Sequence, residues 1–162
     1  MSTGPSFRVA VESNAAQLLH FMYDYYAFDG HGFDEAKART ALIALLRDSG
    51  LGRAWLILDG ETPVGYAVLC FGYSLEWLGR DAFVDELYLV ENFRGRGWGA
   101  VTMAFLENEA RALGVRALHL GVVENNPAIH LYRKLGFKEH TSTFLSKWIE
   151  RDASKPQGAH GY

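Results

Sequence analysis

Apolar residues in the first third of the chain recur at helical spacing. Leu18, Leu19, Met22 and Tyr26 share one face of a helix that Ser13 or Asn14 can cap and that runs to about Tyr26. A weakly alternating stretch, Phe7 to Val11, precedes it as a first strand. Asp29-Gly30-His31-Gly32 breaks the helix, because glycine tolerates positive φ. Asp34 then caps a second helix to about Ser49, with Ala38, Leu42, Leu45 and Leu46 inward. The period changes after Gly52. Ala54 to Leu58 and Val64 to Phe71 read as two strands joined at the Asp59-Gly60 turn, and Ala82 to Val90 as a third. Gly97 to Leu113 returns to helical spacing through Ala100, Met103, Leu106, Ala110 and Leu113, and Gly114 stops it. Ala117 to Val123 is nearly all apolar, as a strand covered on both faces should be. Asn126-Pro127 opens a short helix ending at Leu135-Gly136, and Phe137 onward and Phe144 to Ile149 complete the expected strands.

This order of elements predicts a single α/β domain over residues 1–150, and 162 residues suffice to bury its core. The polar, Gly- and Pro-containing stretch 151–162 reads as a flexible C-terminal tail. A net charge of −3 without a block of like charges argues against a nucleic-acid partner. Cys70 is the only cysteine, which excludes an internal disulfide and fits a reducing compartment. Met1 to Val9 lacks a signal-peptide pattern, and no stretch approaches the ~18 apolar residues of a membrane span. The expected location is therefore the cytoplasm, with no membrane partner. The histidines show no metal-ligand spacing, so no metal is expected.

The chemistry concentrates at Arg94-Gly95-Arg96-Gly97-Trp98-Gly99-Ala100, between an apolar strand and an amphipathic helix. Glycines let a ligand approach the backbone, and a helix start aims unpaired N–H groups and a positive dipole end at it. Such an arrangement holds phosphates, and Arg94 and Arg96 add charge that can pair with a pyrophosphate. The spacing is neither GxxxxGK[ST] nor GxGxxG, which argues against a P-loop or a dinucleotide fingerprint.

Arg94-x-x-Gly97-x-Gly99 resembles the R/Q-x-x-G-x-G/A signature of the GNAT superfamily of N-acetyltransferases. Asp85-Glu86-Leu87-Tyr88-Leu89 is similar to the strand before that signature, and Asn125-x-x-Ala128-x-x-x-Tyr132-x-x-x-Gly136-Phe137 to the family's second hallmark. The resemblance implies the GNAT acyl-CoA N-acyltransferase fold: a mixed central sheet with two splayed parallel strands and flanking helices. It implies acetyl-CoA as co-substrate, its pyrophosphate on the amides of Arg96 to Ala100 and its pantetheine arm along Leu87, Tyr88 and Leu89, with Asn125 and Ala128 further along the cofactor path. Tyr132 matches the family's proton donor, although periodicity alone makes it a core residue beside Ile129, Leu131 and Leu135.

An amine nucleophile must lose a proton, and a carboxylate can take it. Asp85 is the first candidate and Glu86 the second, because strand alternation sends Glu86 to the opposite face unless a bulge intervenes. Cys70, at the end of an apolar strand, reads as a buried thiol. Tyr25, Tyr26, Phe28, Asp29 and His31 surround the Gly30-His31-Gly32 break, where an aromatic and acidic mix suits a cationic acceptor or, equally, a dimer contact. The expected activity is acetyl transfer to the primary amine of a small cationic molecule in a ternary complex. A protein lysine or N-terminal acetyltransferase and a non-catalytic CoA-binding module stay open as alternatives. So does a homodimer, through Trp77, Trp148 and the late strands.

Overall fold

The computed structural model describes residues 4–123 and 125–149, which fall into two compact units divided between Leu120 and Gly121. The expected tail, 151–162, lies outside the described residues. In the first unit, strands β1 (Ser6–Val9), β2 (Gly52–Asp59), β3 (Thr62–Ser74), β4 (Gly79–Leu89) and β5 (Ala117–His119) form one sheet in that order. Neighbours are antiparallel except β4 and β5, which run parallel.

Alternation along β2 divides the core. Ala54, Leu56 and Leu58 face helices α1 (Ala15–Phe28) and α2 (Glu35–Arg47), where Leu18, Leu19, Phe21, Leu42, Tyr66, Val68 and Tyr88 complete one apolar layer. Trp55 and Ile57 face the other way: the Trp55 ring meets Phe105 of α3 (Trp98–Ala112) edge-on at 5.7 Å, and Ile57 packs with Val64, Leu89 and Trp98. Leu18, Ile57 and Leu106 are completely buried, which stabilises the fold by about 2 kcal/mol per side chain. Two of the expected helix ends are present, whereas Asn14 precedes α1 without a side-chain cap bond and α1 runs on to Phe28. Asp34 accepts a hydrogen bond from the Lys37 amide at 3.2 Å, and Gly114, at φ +74°, lets Val115 N donate to Ala110 O.

Two expectations are corrected. The apolar run Ala117 to Val123 is not a strand through the sheet centre, because β5 pairs only over Ala117–His119 and lies half-buried at the edge. Its partner β4 continues six residues past Phe83 without it. Among the described residues, neither Phe137 onward nor Phe144 to Ile149 forms a strand; Phe144, Leu145, Trp148 and Ile149 are exposed.

The second unit holds helix α4 (Ala128–Lys134). Asn126 Oδ1 accepts from Ala128 N at 2.9 Å, and Phe137 N returns to Tyr132 O at 3.0 Å past Gly136, at φ +91°. Among the described residues, no helix is long and apolar enough to cross a membrane.

Candidate active site

The site begins as a fault in a ladder. Val68 pairs with Glu86 and Leu69 with Val84, so Asp85 is one residue too many for β3 to match. Such a bulge breaks alternation and re-aims the side chains around it. Glu86 does not point away from Asp85, as regular alternation requires; both face the α1 side of the sheet. The Glu86 carboxylate is buried there, accepting from the Tyr66 hydroxyl at 2.7 Å and the Tyr26 hydroxyl at 3.0 Å. Asp85 reaches solvent near the Cys70 thiol, a half-buried group of the same apolar layer.

Burial sets the electrostatics. Desolvation holds the Glu86 carboxyl above its ordinary value; the nearby Asp85 charge adds to this, and the two tyrosine hydrogen bonds oppose it. Desolvation also raises Asp85, against the Cys70 thiol, and pushes that thiol up to about 12. Tyr26 and Tyr66 are raised by burial first and by Glu86 second, so both remain hydroxyl donors. A raised folded-state value means that Glu86 stabilises the fold fully below its ordinary 4.5, and that this stability is lost as pH climbs through the folded value. Urea unfolding across that range should therefore show a falling stability in the wild type and a flatter profile in Glu86→Gln. Parallel profiles would mean that Glu86 titrates normally.

Beside the free end of β4 lies the glycine-rich turn. Gly95 and Gly97 have φ of +69° and +80°, and a Cβ added at either would meet nothing within 4 Å. The turn is thus left-handed and open, the conformation that demands glycine and admits a ligand. No side chain caps α3 at Gly97, and Val101 makes the first bond back to Gly97 O. The amides of Trp98, Gly99 and Ala100 accordingly have no acceptor within the helix. Arg96 is exposed at this mouth, its guanidinium 5.3 Å from the Phe93 ring centre. Arg94 is engaged differently. Its Nε donates to Leu89 O at 2.7 Å, and its guanidinium lies 4.5 Å from the Phe28 ring and 5.2 Å from that of Tyr88.

The aromatic residues singled out at the end of α1 lie at this site. Besides bonding Glu86, Tyr26 packs against Tyr25, His31 and Phe33 at ring separations of 5.7, 6.4 and 5.7 Å. Tyr25 lies 6.2 Å from Tyr88, Phe28 covers Arg94, and Asp29 ends the helix exposed. In the second unit Asn125 takes φ +67°, Ala128 opens α4, and Tyr132 is half-buried against Phe137, its phenol raised by that burial. Sequence reasoning missed Tyr66 and set Cys70 aside. Tyr66 carries a signal after the fact, since it sits two residues before Val68, the partner of Glu86, on the same strand face.

The open β4 edge, the uncapped helix start and the exposed Arg96 fit an elongated ligand with a phosphate group. The comparisons give the family. Residues 18–137 match the acetyltransferase (GNAT) family. A thialysine N-epsilon-acetyltransferase of Mus musculus is 31% identical over 100 residues, which cover 60% of this chain and 58% of that protein. The corresponding Bos taurus protein is 32% identical over 51% of this chain and 49% of its own, so the chain spans little more than half the length of these relatives. Among solved structures, an integron cassette protein from a salt-marsh metagenome superposes with a TM-score of 0.81 at 32% identity, over 90% of this chain and 91% of that one. A Clostridium acetobutylicum structure described as a predicted acetyltransferase with acetyl-CoA gives 0.75 at 16% identity over 88% and 96%, a likeness of fold alone. The chain belongs to the acetyltransferase (GNAT) family.

Proposed function

We propose that the protein transfers the acetyl group of acetyl-CoA directly to a primary amine of a small cationic molecule. The observation that carries this reading is Asp85, displaced by a bulge onto the open edge of β4 beside an uncapped, glycine-rich helix start. The relatives named for thialysine acetylation support an acceptor with an amine at the end of a flexible chain.

Acetyl-CoA would supply the activated acetyl group, its pyrophosphate held by Arg96 and the amides through Ala100. Leu87 and Leu89 on the unpaired part of β4 offer backbone to the pantetheine arm, as an exposed strand edge does. An alkylammonium acceptor releases its proton near ~10.4, so a neighbouring base is needed at neutral pH. Asp85 is that base: desolvation raises its carboxyl and narrows the gap to the amine. Glu86 is a positioning residue, because both its oxygens already accept from tyrosines. Tyr132 takes the part of proton donor to the departing thiolate on the strength of its motif. Tyr25, Tyr26, Phe28, Asp29 and His31 form the acceptor side, where ring faces and a carboxylate favour a cation.

Cofactor binding is the first thing to test. Saturating acetyl-CoA should raise the melting temperature by mass action. Gly97→Leu should abolish the shift, since a side chain there forces a left-handed φ of +80° on a residue that disfavours it and fills the open mouth. No shift in the wild type, with no heat on calorimetric titration, would overturn the proposal.

A further inference from the structure

Arg94 opens the glycine-rich turn, yet its side chain is turned toward the protein. Its Nε donates at 2.7 Å to the carbonyl of Leu89, the last residue of β4, and this bond fixes the guanidinium. The guanidinium carbon lies over the Phe28 ring at 4.5 Å and the Tyr88 ring at 5.2 Å. Phe28 is the last residue of α1 and is 70% exposed, so burial does little to hold it. A cation over the ring face does hold it, through the ring quadrupole. Tyr25, three residues earlier and therefore on the same helix face, lies 6.2 Å from Tyr88. One face of the helix end thus meets β4 and the turn through Tyr88 and Arg94. Tyr26 takes another direction and donates to Glu86 at 3.0 Å. Tyr26 and Phe28 diverge by about 200° around the helix axis. Together the two contacts stop the helix end from rolling, whereas either alone leaves a pivot. The Gly30-His31-Gly32 break hangs from this end, Asp29 N donating to Tyr25 O at 3.0 Å and His31 N to Tyr26 O at 2.9 Å.

We propose that Arg94 is a positioning residue for the amine acceptor: by holding Phe28 it fixes the end of α1, and with it Tyr25 to His31, beside the glycine-rich turn. The inference rests on the activity proposed above. It gives to the amine a residue that the turn would assign to the cofactor, and it links the two sides of the site through one side chain. The phosphate role and the clasp differ in what they need. A phosphate ligand needs positive charge, which a lysine supplies as a point charge. The clasp needs a planar fork that donates to a carbonyl while its face meets a ring, and a lysine has no such fork. Arg94→Lys therefore keeps the charge and loses the clasp.

The test measures steady-state acetylation of whichever of propylamine, ethanolamine and lysine the wild type uses fastest, in Arg94→Lys, Phe28→Leu and the double variant. Arg94→Lys should raise KM for the amine by about three- to tenfold, with kcat and the melting shift given by acetyl-CoA close to wild type. Phe28→Leu keeps an apolar side chain, removes the ring face and should do the same. The double variant should be no worse than the worse single one, because both substitutions break one contact. A wild-type amine KM in Arg94→Lys, or effects that multiply in the double variant, overturns the clasp. So does a smaller acetyl-CoA shift with the amine KM unchanged, which would return Arg94 to the pyrophosphate. Amide hydrogen exchange over residues 25–31 needs no turnover and should quicken in both single variants. Quicker exchange there, without acetylation of any amine, would keep the clasp and remove the activity reading. Acetylation with KM and exchange both at wild-type values would do the reverse.

Discussion

Asp85→Asn should lower kcat/KM for the amine by about a hundred- to ten-thousand-fold at neutral pH, while the melting shift expected with acetyl-CoA stays as in the wild type. The amide matches the carboxylate in shape and can still meet the Cys70 thiol, but it cannot take a proton. The loss should shrink on the alkaline side, because each pH unit below the amine's ~10.4 costs about tenfold in free amine, which needs no base. Glu86→Gln should cost far less: an amide oxygen still accepts from one tyrosine, and the carboxylate it replaces is buried and doubly bonded. Thiol-release assays over a pH series separate the two. Wild-type rates in Asp85→Asn with a collapse in Glu86→Gln would exchange their roles.

Gly65→Ala is expected to have the largest effect on stability, about 3 kcal/mol. A Cβ there would stand 2.2 Å from Tyr88 O and 3.1 Å from Leu89 Cα, both backbone atoms of the neighbouring strand. Nothing flexible can give way, so β3 must part from β4 near its C-terminal end. For a chain of this size the melting temperature should fall by about 6 to 12 °C. Gly60→Ala is the contrast. Its φ is +59° but the space is open, so only the left-handed conformation is penalised, by about 1 kcal/mol. Calorimetric melting of the two variants would show whether interstrand contact or backbone strain dominates; equal losses would refute the clash.

Features whose cause lies within a few residues were legible in the sequence. Asp34 caps because it precedes a helix, Gly114 ends one because it accepts a positive φ, and Gly95 and Gly97 mark a turn for the same reason. The sides taken by Asp85 and Glu86 were not legible, because a bulge is a property of two strands, and nothing in Ala82 to Val90 announces where β3 will slip. The length of β5 was misread for a related reason: an apolar run predicts burial, but a strand needs a partner, and β5 pairs with β4 only as far as His119. The stacking of Arg94 on Phe28 joins residues 66 positions apart, beyond any local pattern.

The slip in β4 also bears on how such a chain changes by descent. Val84 already faces Leu69, and Glu86 already faces Val68. Losing the single codon for Asp85 would therefore leave every other pair in place and heal the ladder. The tyrosines would keep their acceptor, the glycine turn would be untouched, and the product would be a more regular sheet without the proposed base. On the roles proposed for Asp85 and the glycine turn, one in-frame deletion would separate a catalyst from a folded chain without its base, and the step toward the latter is the one that backbone hydrogen bonding favours.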